Sequence, residues 1–155
     1  MLPLDDYVPY LLNRAGARIA AAFSADVRGF GITLQMWRAL AALTDRDGQT
    51  VGELAARTSI EVSTLSRALD GLQRRKLVER SRTGGDGRVV TLSLTSAGRT
   101  LTRRVIPIAE RYERVAVAGL SDRDVATLKR LLRRLYVNMD GLAADGPARP
   151  AARRG

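Results

Sequence analysis

The chain contains no cysteine and no histidine in 155 residues. Those two absences remove whole mechanisms: a disulfide, a thiolate nucleophile, a Cys/His zinc or iron–sulfur site, a Ser-His-Asp triad and a thiol redox switch are all excluded. A metal would have to be held by carboxylates alone, and neither a metal site nor a cofactor is expected. Long apolar runs are also missing, since no stretch of about 18 uncharged apolar residues exists to span a membrane. The opening Met-Leu-Pro-Leu-Asp-Asp-Tyr has neither the basic start nor the apolar run of a secretory signal. A cytoplasmic protein with no membrane partner is the expectation.

What is present is one domain's worth of chain, 45% hydrophobic and 27% charged, far from the composition of disordered sequences. Basic residues outnumber acidic ones 26 to 16, for a net charge of +10. The excess is uneven. Residues 1–56 carry five basic and six acidic side chains, 57–104 eleven and four, and 105–155 ten and six, or −1, +7 and +4. A basic run by itself fits a solvated face as well as a nucleic-acid partner, so the organisation of the middle third has to decide.

Along the chain, Asp5 or Asp6 is a fair N-cap for a long amphipathic helix through Val8, Leu11, Leu12, Ala15, Ile19, Phe23 and Val27, with Pro9 in its first turn and Gly29 and Gly31 at its end. Thr33 opens a second helix through Met36, Trp37, Leu40 and Leu43, which stops at the turn-rich Asp45-Arg46-Asp47-Gly48. Thr50-Val51-Gly52-Glu53 fits a capping box and predicts a short helix to about Arg57. Another helix is predicted from near Glu61 to Lys76, with Val62, Leu65, Leu69 and Leu72 on one side and Ser63, Arg67, Asp70 and Arg74 around the opposite pole.

The period then changes to two. Val78, Arg80 and Arg82 alternate with polar neighbours, as do Val90, Leu92 and Leu94, around a glycine-rich Thr83-Gly84-Gly85-Asp86-Gly87-Arg88, which predicts a β-hairpin. Thr95-Ser96 caps a helix through Leu101, Val105, Ile108, Tyr112 and Val115, where the internal Pro107 predicts a kink, and Gly119 ends it. Ser121 and Asp124 resemble a capping box for a last helix whose Val125, Leu128, Leu132, Leu135, Met139 and Leu142 form a heptad seam. Such a seam packs either within the domain or against another copy of the chain. Two long amphipathic helices flanking a small middle have little else to cover them, which favours the second copy. From Ala143 onward an Ala/Gly/Pro/Arg tail is expected to be disordered.

Short helix, brief turn, helix with a basic-polar face, then a hairpin with arginines near its tip is the order of a winged helix-turn-helix. A helix of about 10–12 Å diameter enters the DNA major groove, where hydroxyl and guanidinium groups meet base edges. Wing arginines such as Arg82 reach phosphates or the minor groove.

Leu34-Gln35 through Leu40, Glu53-Leu54-Ala55, Thr64-Leu65-Ser66-Arg67 with Leu72, Leu77-Val78-Glu79-Arg80, and Asp86-Gly87-Arg88 running into Leu94-Thr95-Ser96-Ala97-Gly98 follow one another in an order and spacing that resembles the MarR family of bacterial transcription regulators. The resemblance covers about residues 5–142. It implies a mainly α fold: a winged helix-turn-helix with a two-stranded β wing at 33–95, flanked by N- and C-terminal dimerisation helices at 5–30 and 96–142, with a tail at 143–155. It further implies an obligate homodimer that binds a pseudo-palindromic operator in double-stranded DNA and is released by a small ligand. Carried over position by position, Ser63, Thr64, Ser66 and Arg67 look like major-groove readers, and Arg88 like the wing-tip arginine of the minor groove, oriented by Asp86. Asp70 stands out as a carboxylate facing phosphates, with Arg67 and Arg74 as its expected partners.

Family members place an effector pocket between the dimerisation helices and the winged module. Here that points to Tyr7, Tyr10, Arg14, Trp37 and Arg38, a set of aromatics and arginines suited to an anionic aromatic acid or an acyl-CoA thioester. Trp37 also fits plain core packing beside Leu40.

Two other classes fit the sequence less well. Catalysis has no support: Asp5 and Asp6 point to different helix faces, Asp122 and Asp124 read as capping residues, and Gly84-Gly85-Asp86-Gly87 is followed neither by Lys-Ser/Thr nor by a helix, so it is no phosphate-binding loop. A nonspecific architectural or RNA-binding winged helix would share the charge without needing twofold symmetry or sequence preference.

Overall fold

The structure, a computed structural model, describes residues 3–83 and 89–144. Local capping chemistry sets where most of its helices begin. The Thr33 hydroxyl accepts from the Met36 amide at 3.2 Å and opens α2 (Leu34–Asp45). Thr50 and Glu53 form the reciprocal box that opens α3 (Val51–Thr58): the hydroxyl accepts from the Glu53 amide at 3.2 Å and the carboxylate from the Thr50 amide at 2.8 Å. Glu61 caps α4 (Val62–Arg74). The Thr95 hydroxyl accepts from the Gly98 amide at 3.0 Å and donates to the Lys76 carbonyl at 2.7 Å, opening α5 (Ser96–Ala116). Ser121 and Asp124 do the same reciprocally for α6 (Asp122–Ala144).

The first helix departs from expectation. Leu4–Asp6 wind into a 3₁₀ turn closed by the Tyr7 amide on the Leu4 carbonyl, so Tyr7, not Asp5 or Asp6, stands at the N-cap of α1 (Val8–Arg28) and makes no side-chain cap. Asp5 is instead 3.6 Å from the Arg14 guanidinium. Pro9 lies in the first turn, where a missing amide costs no helical bond. Pro107 lies inside α5, which continues past it to Ala116. α6 extends through Ala144, two residues into the segment expected to be tail, because alanine favours helix; residues 145–155 lie outside the described residues.

The predicted hairpin is present. β1 (Val78–Thr83) pairs antiparallel with β2 (Val89–Leu94) in the register Val78↔Leu94 through Thr83↔Val89. Gln49 adds an isolated bridge outside the hairpin by exchanging backbone hydrogen bonds with Leu92. Its buried side-chain amide donates to the carbonyl of Ala42, satisfying a polar group that would otherwise be costly to bury.

The chain falls into two units, one ending at Ala116 and one beginning at Val117. In the first, Ala39, Leu40 and Leu43 of α2, Leu54 of α3, Leu65, Leu69 and Leu72 of α4, Val78, Leu92 and Leu94 of the hairpin, Val105 of α5 and Val27 of α1 make one core. Each leucine so buried contributes about 1.5–3 kcal/mol relative to exposure. Val62, grouped by periodicity with the α4 leucines, is instead 52% exposed. In the second unit, Leu128, Leu132 and Leu135 of the heptad seam on α6 are all exposed.

Gly98 sets how closely α5 enters the hairpin base. A Cβ there would run into the carbonyl oxygen of Leu77, which is backbone and cannot turn aside. At Gly71 the added atom would meet the terminal methyl of Met36, the far end of a flexible side chain. Gly98→Ala is therefore expected to destabilise by about 1–3 kcal/mol, the usual cost of overpacking, and Gly71→Ala by less. Thermal melts of the two variants check the order, and an equal loss in both would contradict the packing argument.

Candidate nucleic-acid interface

Burial of Leu65, Ala68, Leu69 and Leu72 turns the opposite side of α4 outward. Ser63, Thr64, Arg67, Asp70 and Arg74 are exposed on it, and Ser66 is half-buried at its edge. Among the described residues, no acidic side chain forms an ion pair with Arg67, Arg74 or Arg82. Other cations are already engaged. Arg57 pairs with Asp45, Arg99 lies 3.0 Å from Asp47, and Arg80 of β1 reaches across to Asp70 at 2.8 Å. The Asp70 partner is therefore Arg80, not Arg67 or Arg74. The hairpin brings a guanidinium to the carboxylate, so the negative charge on the outward face is neutralised and the wing is tied to α4.

Glu61, at the predicted start of this helix, has a role that periodicity does not reveal. Its Oε2 accepts from the Thr64 amide at 3.1 Å and from the Ser63 hydroxyl. The Ser63 hydroxyl, the backbone amides of Ser63 and Thr64, and the positive charge of Arg67 together hold the Glu61 carboxyl below the ordinary glutamate range. The signal lay in the sequence, since an acceptor three residues before an amide is the N-cap pattern, but glutamate is not a usual cap. Thus the Ser63 hydroxyl and the Thr64 backbone amide at the tip of α4 are held in place from within the protein. Asp86 and Arg88 lie outside the described residues.

On another side of the same unit, α1, α2 and α5 wall an open cleft of about 710 Å³, within the range of small-molecule sites. Its walls are apolar, with Leu12, Gly16, Phe23, Trp37 and Tyr112, and its charged lining residues are Arg38 and Glu113. The Phe23 ring stands 5.8 Å from Trp37 and 5.4 Å from Tyr112, edge-on to the latter. The Tyr112 hydroxyl lies 3.0 Å from both the Ala22 carbonyl and the Asp26 carboxylate, and the bond to Asp26 pushes its pKa above the ordinary tyrosine value.

The profile of the MarR family matches residues 30–89. A MarR-family transcriptional regulator from Silicibacter pomeroyi is 34% identical, superposes with a TM-score of 0.80, and the match covers 87% of this chain and 91% of that one. The chain belongs to the MarR family. Other relatives agree: the transcriptional repressor NicR of Pseudomonas putida is 28% identical over 132 residues, covering 85% of this chain and 84% of its own. BpsR of Bordetella bronchiseptica, whose DNA binding is regulated by 6-hydroxynicotinic acid, is 29% identical with a TM-score of 0.75, over 83% of this chain and 98% of that one. Members of this family are DNA-binding transcription regulators and not enzymes.

Of the five residues that the MarR resemblance pointed to for an effector, Trp37 and Arg38 line the cleft, whereas Tyr7, Tyr10 and Arg14 do not. Tyr7 precedes α1, and Arg14 lies over the Tyr10 ring at 5.5 Å while facing Asp5, so that cluster closes on itself at the start of α1. Phe23 and Tyr112, which sequence spacing assigned only to helix faces, are the aromatics that join Trp37.

The pH dependence of the α4 cap follows from its charge. A carboxylate whose folded pKa is lowered stabilises the folded state above the unfolded pKa, and this contribution is lost as pH falls through the folded pKa. The cap at Glu61 should therefore hold throughout the neutral range and fail only in acid, below where an ordinary glutamate titrates. A carboxyl-carbon NMR titration should show this low midpoint, and Ser63→Ala should move it upward because the Ser63 hydroxyl is the largest contributor. An unmoved midpoint in Ser63→Ala would contradict the assignment.

Proposed function

We propose that this protein is a sequence-specific repressor that binds a pseudo-palindromic operator as a homodimer and leaves it when a small anionic aromatic ligand enters the cleft. The observation that carries the reading is the outward face of α4, where hydroxyl groups at Ser63, Thr64 and Ser66 and guanidinium groups at Arg67 and Arg74 stand beside a two-stranded wing. Hydroxyls and guanidiniums at the N-terminal end of such a helix are the groups that read base edges. Arg82, and by resemblance Arg88 with Asp86, supply wing contacts to phosphate or the minor groove.

The homodimer is supported by the exposed seam of α6 and by exposed Val8, Leu11, Leu12 and Ile19 on α1, apolar surface that water alone covers poorly. For the ligand, apolar aromatic walls with Arg38 among them fit a flat carboxylate. The likeness to BpsR, with its 6-hydroxynicotinic acid, favours an aromatic acid over an acyl-CoA thioester.

The test is fluorescence anisotropy with the duplex upstream of the protein's own gene against a scrambled one, over a salt series with stoichiometry determined. Preference by about a thousandfold with two chains per duplex is expected. Equal affinities with the same steep salt dependence would move the nonspecific architectural reading ahead. Arg67→Ala is expected to lower affinity for the preferred duplex by about 1–3 kcal/mol and to leave random DNA much less affected. Aromatic acids titrated into the complex should release the DNA, and no release by any of them would remove the ligand part of the reading.

A further inference from the structure

The C-terminal end of α4 carries a basic run, Arg74-Arg75-Lys76, that electrostatics alone would give entirely to phosphates. The side chains do not divide that way. The Arg75 guanidinium turns back into the protein, donating to the Phe30 carbonyl at 3.0 Å and to the Gly31 carbonyl. Both acceptors belong to the turn between α1 and α2. They carry the partial negative charge of carbonyls just past a helix C-terminus, the end at which cations are favoured. A planar fork meets two successive carbonyls at once, which a lysine ammonium cannot do with the same geometry.

The turn is shaped for this contact. Gly31 has φ +69, and a Cβ there would sit 3.3 Å from an Arg75 guanidinium nitrogen, so glycine supplies both the conformation and the room. The Arg104 guanidinium of α5 lies over the Phe30 ring at 5.3 Å. Elements α1, α2, α4 and α5 therefore meet at Phe30-Gly31, and Arg75 is the tie from α4.

We propose that Arg75 is a positioning residue for DNA recognition, which fixes the tilt of α4 from the α1–α2 turn and makes no phosphate contact. The proposal rests on the reading of α4 as the DNA-reading helix. Its leverage is geometric. A helix of 13 residues is about 20 Å long at 1.5 Å per residue, so a tilt of about 5° at Arg75 displaces Ser63 and Thr64 by about 1.5 Å. Recognition tolerates only about 0.5 Å. Phosphate contacts, which carry no sequence information, are less sensitive to such a displacement than base contacts.

The experiment compares Arg75→Met, Arg75→Lys and Arg74→Met on the duplex the wild type prefers and on a random duplex, each across a salt series. Arg75→Met should weaken preferred binding about tenfold while leaving random binding and the salt slope unchanged. Arg75→Lys, which keeps the charge but not the fork, should lose nearly as much. Arg74→Met should weaken both duplexes and flatten the slope by about 0.9. Should Arg75→Met fail to fold in thermal melts, Gly31→Ala disturbs the same contact with every charge retained, and it should show the same loss of preference at constant slope. Equal losses on both duplexes with a flatter slope in Arg75→Met, or a lysine variant that binds like the wild type where Arg75→Met does not, would make Arg75 a phosphate contact and overturn the proposal. Unchanged preference in folded Arg75→Met and Arg75→Lys would overturn it too, by leaving Arg75 a purely structural role. A wild type that prefers no duplex overturns the function reading itself, an outcome distinct from these.

Discussion

The burial of one leucine stripe against α2 governs the rest of the structure. Leu65, Leu69 and Leu72 are each fully enclosed, and with them inside, the angular position of every other α4 side chain is determined by helix geometry. Ser63, Arg67 and Arg74 point outward because the leucines point inward. The core thus sets which chemistry is displayed, and caps and ion pairs only refine it. The hairpin depends on the same burial, since Val78, Leu92 and Leu94 complete the core at its base while its distal residues Val89 and Val90 are exposed.

The net charge of +10 is not spread evenly over the tasks it could perform. Arg57, Arg80 and Arg99 are paired with carboxylates and Arg75 is bound to backbone carbonyls, so these four serve the scaffold. Arg67, Arg74 and Arg82 face solvent. An exposed ion pair adds little stability in general. The value of Arg80 is its direction, because it neutralises Asp70 on the face proposed to meet DNA.

Elements defined by nearby residues were legible in the sequence. Thr33, Thr50, Thr95 and Ser121 cap helices where hydroxyls three residues before an amide said they would, and the change of period at Val78 located the hairpin. Contacts between distant residues were not legible. The Asp70–Arg80 pair, the Gln49–Leu92 bridge and the Arg75 clamp each join segments whose relative placement no local pattern encodes. At α1 a local rule misled, because Asp5 and Asp6 satisfied the N-cap preference but were drawn into a 3₁₀ turn. The MarR resemblance pointed to Tyr7 and Tyr10 beside Trp37 without giving depth along the helix, whereas the cleft is lined by α1 from Leu12 to Phe23.

The central claim is that the face of α4 opposite the leucine stripe is the surface that meets DNA. Backbone amide chemical shifts recorded while the preferred duplex is titrated into isotope-labelled protein test it most directly. The account predicts the largest changes at residues 61–67 and along the hairpin, small ones at Arg57 and Arg99, whose charges are already paired, and small ones in the cleft. Changes centred on α6 or on the cleft-facing side of α1, with α4 unmoved, would contradict it.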